Sequence, residues 1–272
     1  MSEINLESQI TTFSESDFIQ GRPESLLQAT EAPKILVVWP HGDETLGARI
    51  GYHLYSERPD LLKHVDYICG NPRAAGQTPS VRDTETDLNR SFNPNNGPRT
   101  YEEKRAAKIL GQIAAVGYNY VLDVHTSTTD VGSFFLANHR NPAVDAMIAA
   151  SPLTRTVMMP DSIAQAGLIG QVPNSVSIEY NRAEAQQRGV EESLVLIEGL
   201  IHGAPYVKAQ KREFFYVTRP IPKTEDPGLD AKNFELCADG YYPVLFGENS
   251  YRKDPTKPYL GFAATEREVV VL

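Results

Sequence analysis

Four stretches of the sequence carry side chains whose types and spacing suit hydrolytic or metal chemistry. His41 and Glu44 lie three positions apart in Pro40-His41-Gly42-Asp43-Glu44. On a strand-to-helix turn that spacing can aim an imidazole and a carboxylate at one metal ion, and zinc accepts both ligand types. Alone, such a pair is more often two surface groups. A second imidazole follows in Asp123-Val124-His125-Thr126-Ser127. Asp123, two residues before His125, points the same way along a strand. It could fix the histidine's orientation as a carboxylate behind a metal ligand does. Together His41, Glu44 and His125 make the two-histidine, one-carboxylate set of a catalytic zinc with an open position.

Glu179 closes the apolar run Val176-Ser177-Ile178. A carboxylate there is costly unless paired or functional. Beside a metal, a glutamate suits the task of taking a proton from water; the ordinary alternative is a strand-end glutamate facing solvent. Between Asn71 and Thr100 lie Arg73, Arg82, Asp87, Asn89 and Arg90. Arginine holds carboxylates through a bidentate fork, so this stretch reads as a carboxylate-binding surface or as a solvated loop of mixed charge. His53, His64, His139 and His202 lack partner spacing and are assigned to the surface or to packing.

The elements that must position these residues alternate between strand and helix. Ile35-Leu36-Val37-Val38-Trp39 reads as a buried strand ending just before His41, and Leu46, Ile50 and Leu54 recur at helical spacing after it. Residues 65–69 read as a second strand and 120–124 as a third, with a helix over 101–116 between them. Weaker strands are expected at 134–136 and 156–158, another at 176–178, and a helix over 190–201 ending near Gly203. The aperiodic stretch 71–100 is long for a compact domain, which points to a functional loop. This alternation implies an α/β fold with a mostly parallel sheet. After about Ala204 come short β-like runs at 214–217, 234–236, 244–246 and 269–271, read as a small β-rich C-terminal unit. A short helix is expected over 23–29, with Pro23 at its first position.

Composition narrows the function classes. With 26 Lys plus Arg against 35 Asp plus Glu, the net charge of −9 argues against non-specific nucleic-acid binding. Two cysteines, Cys69 and Cys237, are too few for a disulfide framework. The polar, acidic start is unlike a signal peptide. No apolar run approaches the roughly 20 residues that span a bilayer. The reading is a cytoplasmic protein with no membrane or nucleic-acid partner; whether it forms a homo-oligomer stays open.

Taken together, these segments resemble the succinylglutamate desuccinylase/aspartoacylase family of zinc carboxypeptidase-like hydrolases. The carriers are His41-Gly42-Asp43-Glu44, Asn71-Pro72-Arg73-Ala74, Arg82 with Asp87-Leu88-Asn89-Arg90, Asp123-Val124-His125, Ile178-Glu179-Tyr180, and Tyr242-Pro243-Val244 followed by Glu248 and Tyr251. The resemblance implies a three-layer α/β sandwich with a mixed central sheet. Residues 1–205 would form the zinc-binding catalytic domain, and 206–272 a β-rich domain capping the active-site entrance. It also implies one zinc per chain, held by His41, Glu44 and His125, in an enzyme that uses a metal-activated water to cleave the amide bond of an N-acyl amino acid. Glu179 matches the catalytic glutamate, and Arg82 an arginine that polarises the scissile carbonyl. Asn89, Arg90, Tyr251 and Arg73 match substrate-binding positions, while Asp87 and Asp123 match supporting ones.

Three departures from the family pattern stand out. Asp43 replaces a frequent asparagine. The approach to Glu179, residues 166–177, lacks the arginine that grips a second substrate carboxylate in aspartoacylase-like members, which weighs against an acidic amino-acid product. Tyr180-Asn181-Arg182 replaces V-G-x-Q, and Arg182 is a candidate replacement for the missing cation. Two other readings remain: a zinc carboxypeptidase acting on peptide C-termini, and a catalytically silent binder of small molecules.

Overall fold

The computed structural model describes residues 31–93, 97–183, 185–206, 210–228, 231–255 and 257–271. The short helix expected over 23–29 lies outside these residues.

Among the described residues, one sheet of nine strands runs in the order β2-β1-β3-β6-β4-β5-β7-β9-β8. The strands are β1 (Ile35–Trp39), β2 (Val65–Cys69), β3 (Tyr120–Ser127), β4 (Ser133–Ala137), β5 (Arg155–Met158), β6 (Ser175–Asn181), β7 (Lys211–Pro222), β8 (Tyr242–Val244) and β9 (Tyr259–Val271). β4 runs antiparallel to β6, as β9 does to both β7 and β8, so the sheet is mixed. The helices are α1 (Leu46–Ser56), α2 (Pro72–Ala75), α3 (Tyr101–Val116), α4 (Pro142–Ala150), α5 (Asp161–Ala164), α6 (Leu168–Gln171), α7 (Val190–His202) and α8 (Asn249–Arg252).

Alternation along β1 explains the layering. Ile35 and Val37 pack into a cluster with α1, α4 and α7. Leu36 and Val38 face the other way, onto Ala106 and Ile109 of α3. A strand covered on both faces reads as a continuous apolar run, as β1 does. Thr100 caps α3 by accepting from Glu103 N, and Gly117 closes it at φ +68°, a conformation that favours glycine.

The C-terminal third departs from the expected runs. β7 pairs with β5 in parallel, so the sheet continues across residue 205 without a break. β7 and β9 are longer than expected and form an extended antiparallel pair. The strand expected at 234–236 does not form: Phe234 has φ +66° and its N–H donates to Pro243 O at 2.9 Å, as in a turn. The strand expected at 244–246 stops at Val244, because Leu245 turns to φ +52°. Among the described residues, no helix is long and apolar enough to cross a membrane.

Candidate active site

β1 lies between β2 and β3, so the chain leaves it in opposite directions on its two sides. In open α/β sheets the crevice at such a point, outside the carboxyl ends of the strands, is where ligands bind. His41 follows β1 by two residues, and His125 sits near the end of β3.

The register of β3 and β6 then places two more groups. His125 pairs with Glu179, and Asp123 pairs with Ser177. Asp123 Oδ2 accepts from Ser177 Oγ at 2.7 Å and lies 2.8 Å from His125 Nε2. His125 Nδ1 lies 3.4 Å from Glu44 Oε2. His41 mirrors this arrangement, with Nδ1 at 2.8 Å from Glu44 Oε1 and Nε2 at 3.1 Å from Asp87 Oδ1. Each imidazole therefore has one nitrogen toward Glu44 and the other on a supporting carboxylate. That is how an outer carboxylate orients a metal-binding histidine. One donor atom each from His41, Glu44 and His125 lies within 4.8 Å of the others, and all three residues are buried. The donor set fits a zinc ion.

The turn carrying His41 and Glu44 is held by close packing. A Cβ on Gly42 would stand 2.4 Å from Ala75 N and 2.5 Å from Val81 O, so no larger residue fits between them. Gly42 N also donates to Arg82 O at 3.1 Å, which ties the turn to the long loop. Glu44 Oε2 accepts from Thr126 N at 2.9 Å.

The aperiodic loop is ordered by one buried carboxylate that no period reveals. Glu102, in the first turn of α3, accepts from Asn71 Nδ2 (3.0 Å), Thr84 N (2.8 Å), Thr84 Oγ1 (2.7 Å), Glu85 N (3.3 Å) and Thr86 N (3.2 Å). The loop so gathered delivers Arg82 to Glu44 Oε1 at 2.7 Å and to Asp87 Oδ2 at 3.3 Å. Asn89 Oδ1 accepts from Leu168 N at 3.2 Å, which aims its amide group into the pocket.

Electrostatics follow from this geometry. Burial alone would lift Glu44, but His41 and His125 hold it well below the usual carboxylate range. Burial opposes protonation of His125, yet Asp123 and Glu44 raise it well above its ordinary value. Among the described residues, no cation forms an ion pair or hydrogen bond with the Glu179 carboxyl. Burial pushes it up to about 7, with the His125 imidazole pulling the other way and Glu44 adding to the rise.

His41, Glu44, Arg82, Asn89, Arg90, His125, Glu179 and Tyr251 all line one pocket. Asp87 and Asp123 stand behind the histidines. Arg73 is not brought there. It is half-exposed, paired with Glu85 at 3.2 Å and stacked 4.0 Å over the Tyr101 ring, outside the pocket lining where a substrate-binding role was expected. Nor does Arg182 itself line the pocket, although its Nε donates to Oγ1 of the lining Thr126 at 3.4 Å. Its guanidinium lies 3.2 Å from Asp43 Oδ2, so two of the departures from the family pattern pair with each other.

Glu248 was given no role by the sequence, although it belongs to the Glu248–Tyr251 stretch that carries the resemblance. It lines the pocket and accepts from Ser127 Oγ (2.7 Å), Thr128 N (2.8 Å) and Thr128 Oγ1 (2.6 Å). These bonds fix the C-terminal segment to the end of β3.

Residues 35–176, more than half of the chain, match the catalytic-domain model of the succinylglutamate desuccinylase/aspartoacylase family. The chain belongs to that family. Its members are hydrolytic deacylases, and the mixed α/β sheet is theirs. Similar solved structures include murine aminoacylase 3, at 17% identity and TM-score 0.65, covering 89% of this chain and 97% of that one. Succinylglutamate desuccinylase from Vibrio parahaemolyticus is 15% identical with TM-score 0.63, covering 93% and 88%. The product-bound ectoine utilization protein EutE (DoeB) from Ruegeria pomeroyi is 20% identical with TM-score 0.51, covering 88% and 79%. At these identities the likeness concerns the fold. No curated protein matches the chain in sequence. Glu179 lies three residues past the end of the family match, so its place beside His125 comes from strand register alone.

Proposed function

We propose that this family member is a zinc-dependent deacylase that hydrolyses the amide bond of an N-acyl amino acid. The observation that carries the reading is the buried His41–Glu44–His125 cluster, its donor atoms within 4.8 Å of one another, with Glu179 paired to His125 on the adjoining strand. One zinc per chain would be held by those three residues. When bound, it would supply Lewis acidity toward the scissile carbonyl and favour ionisation of water.

The chain's own groups account for the rest. Asn89 and Arg90 receive the substrate carboxylate, the guanidinium acting as a charge-assisted donor. Arg82, fixed by Glu44 and Asp87, faces the scissile carbonyl and stabilises the oxyanion that develops there. Glu179 takes a proton from the attacking water as the C–O bond forms. It then passes that proton to the amine as the C–N bond breaks. A carboxyl raised to about 7 is suited to both transfers, because it gains and loses a proton near neutral pH. Tyr251 lines the pocket, and burial keeps its hydroxyl protonated and able to donate. Residues 1–205 hold the metal and the proton-transfer group in this reading, while 206–272 supply the entrance wall through Glu248 and Tyr251.

Amine release from acetyl, succinyl and formyl derivatives of acidic, basic and neutral amino acids tests the proposal. The expected result is hydrolysis that stops with a chelator and returns with zinc. Near-full turnover by Glu179→Gln would show that the proton-transfer group is elsewhere.

A further inference from the structure

The pocket is divided in its chemistry. One side carries the ionisable groups already described. The other is apolar, built from Leu136 of β4, Met159 after β5, Ile163 of α5, Ile169 of α6, Leu245 after β8 and Phe262 of β9. Leu136, Met159, Ile163, Ile169, Leu245 and Phe262 belong to one packed cluster, so this side is a wall of the core and not a row of loose side chains.

The charges lining the pocket can be counted. Among the described residues there, the cations besides the histidines are Arg82 and Arg90, against the carboxylates Glu44, Glu179 and Glu248. Arg82 is engaged by Glu44 at 2.7 Å and Asp87 at 3.3 Å. Lys257 sits 3.8 Å from Asp87 and does not line the pocket. Arg90 donates to the Asn89 carbonyl at 2.7 Å but, among the described residues, forms no ion pair with a carboxylate, so it is the guanidinium left for an incoming one. A second substrate carboxylate would meet the apolar wall, Glu248, whose oxygens are already filled by Ser127 and Thr128 donors, or the neutral hydroxyls of Ser250 and Tyr251, and no guanidinium in the lining beyond Arg82 and Arg90. The 166–177 segment, which holds no arginine or lysine, contributes Gly167, Ile169 and Ser177 to the lining, and the Ser177 hydroxyl is already given to Asp123. Arg182, the other candidate cation, stands outside the lining, paired with Asp43 and donating to Thr126 Oγ1. An unpaired carboxylate against apolar surface is strongly disfavoured.

We infer that the substrate carries a single carboxylate, with an apolar amino-acid side chain and an uncharged acyl group, both seated against this wall. The inference rests on the deacylase reading for the reaction, but its geometry concerns binding and can be tested separately. The test compares N-acetyl-leucine, N-acetyl-aspartate and N-succinyl-leucine on the zinc-loaded protein. Turnover is followed by amine release, and binding by calorimetry on zinc-loaded Glu179→Gln. The expected kcat/KM for N-acetyl-leucine exceeds that for either dianion by about 100-fold, the scale on which a pocket rejects a group it cannot pair. Ile163→Arg, at a half-buried position that tolerates a long cationic side chain, should narrow the gap between N-acetyl-leucine and N-acetyl-aspartate by about 10-fold. Preference of the parent protein for either dianion overturns the inference. If nothing is hydrolysed, tighter binding of N-acetyl-leucine upholds the inference while the deacylase reading falls. Equal, weaker or undetectable binding of N-acetyl-leucine overturns it.

Discussion

The two histidines of the site have the same surroundings but reach them by different routes. His125, Asp123, Ser177 and Glu179 are set by adjoining strands: one register fixes both the Asp123–Ser177 and the His125–Glu179 pairs. His41 and Glu44 sit on a turn beyond β1, and their supports Asp87 and Arg82 arrive from a long loop. The strand half needs only the sheet. The loop half needs Glu102 to gather backbone and side-chain donors across residues 71–86, and Gly42 to let the turn lie against Ala75 and Val81. Equivalent chemistry therefore rests on supports of unequal robustness.

The largest expected effect falls on the strand half. Glu179→Gln should lower kcat by about 10³-fold, within the range for losing a proton-transfer group, while zinc content by metal analysis stays at the parent level. Loss of metal instead would mean Glu179 acts as a ligand.

The next change separates the halves. Asp87→Asn and Asp123→Asn should each weaken zinc binding by about 10- to 100-fold, read by chelator competition. Asp87→Asn should also lower kcat at saturating zinc, because Asp87 holds Arg82 as well as His41. Equal kcat in the two variants would erase the distinction. Glu102→Ala, which leaves buried loop donors unpaired, should cost about 3 kcal/mol in denaturant unfolding. Ser177→Ala should cost about 1 kcal/mol, since it removes one hydrogen bond to Asp123.

The pH profile sharpens the role of Glu179. In the proposed reaction its carboxylate form is the base, so kcat/KM should fall as pH drops through its pKa. Burial raises that pKa from 4.5 to about 7, and a bound dication favours the ionised form and pulls it back down. The acid limb should therefore lie between these two values. A limb far above 7 would contradict the assignment.

The smallest effect belongs to Arg182→Ala. Its exposed pair with Asp43 should be worth under about 1 kcal/mol, and KM should change less than about twofold. A large rise in KM would return Arg182 to substrate binding.

The strand half was legible because period and residue type agree there. Apolar runs located β1, β3 and β6, and the polar residues at their ends marked His125 and Glu179. The helix over 101–116 matches α3 to the residue, with a capping box at Thr100 and Glu103 to define it. The loop half was legible only as a set of residue types. Nothing in its spacing shows that Arg82 turns inward while Arg73 turns to Glu85 and Tyr101, since that choice is made by packing against α3. The C-terminal runs misled for a similar reason. Phe234 and Leu245 look like strand residues, but each takes positive φ so that its ring or side chain packs into the cluster around Val244 and Phe262. The apolar pocket wall draws single residues from six separate segments, a pattern without sequence periodicity.

The central claim, a hydrolytic zinc held by His41, Glu44 and His125, is tested most directly by titrating zinc into chelator-treated protein while following amine release from N-acetyl-leucine and the wider N-acyl panel. The account predicts activity that rises linearly, levels off at one zinc per chain, and is absent from His125→Ala at the same zinc concentration. Full activity in protein verified free of metal, or an unchanged titration in His125→Ala, would contradict it.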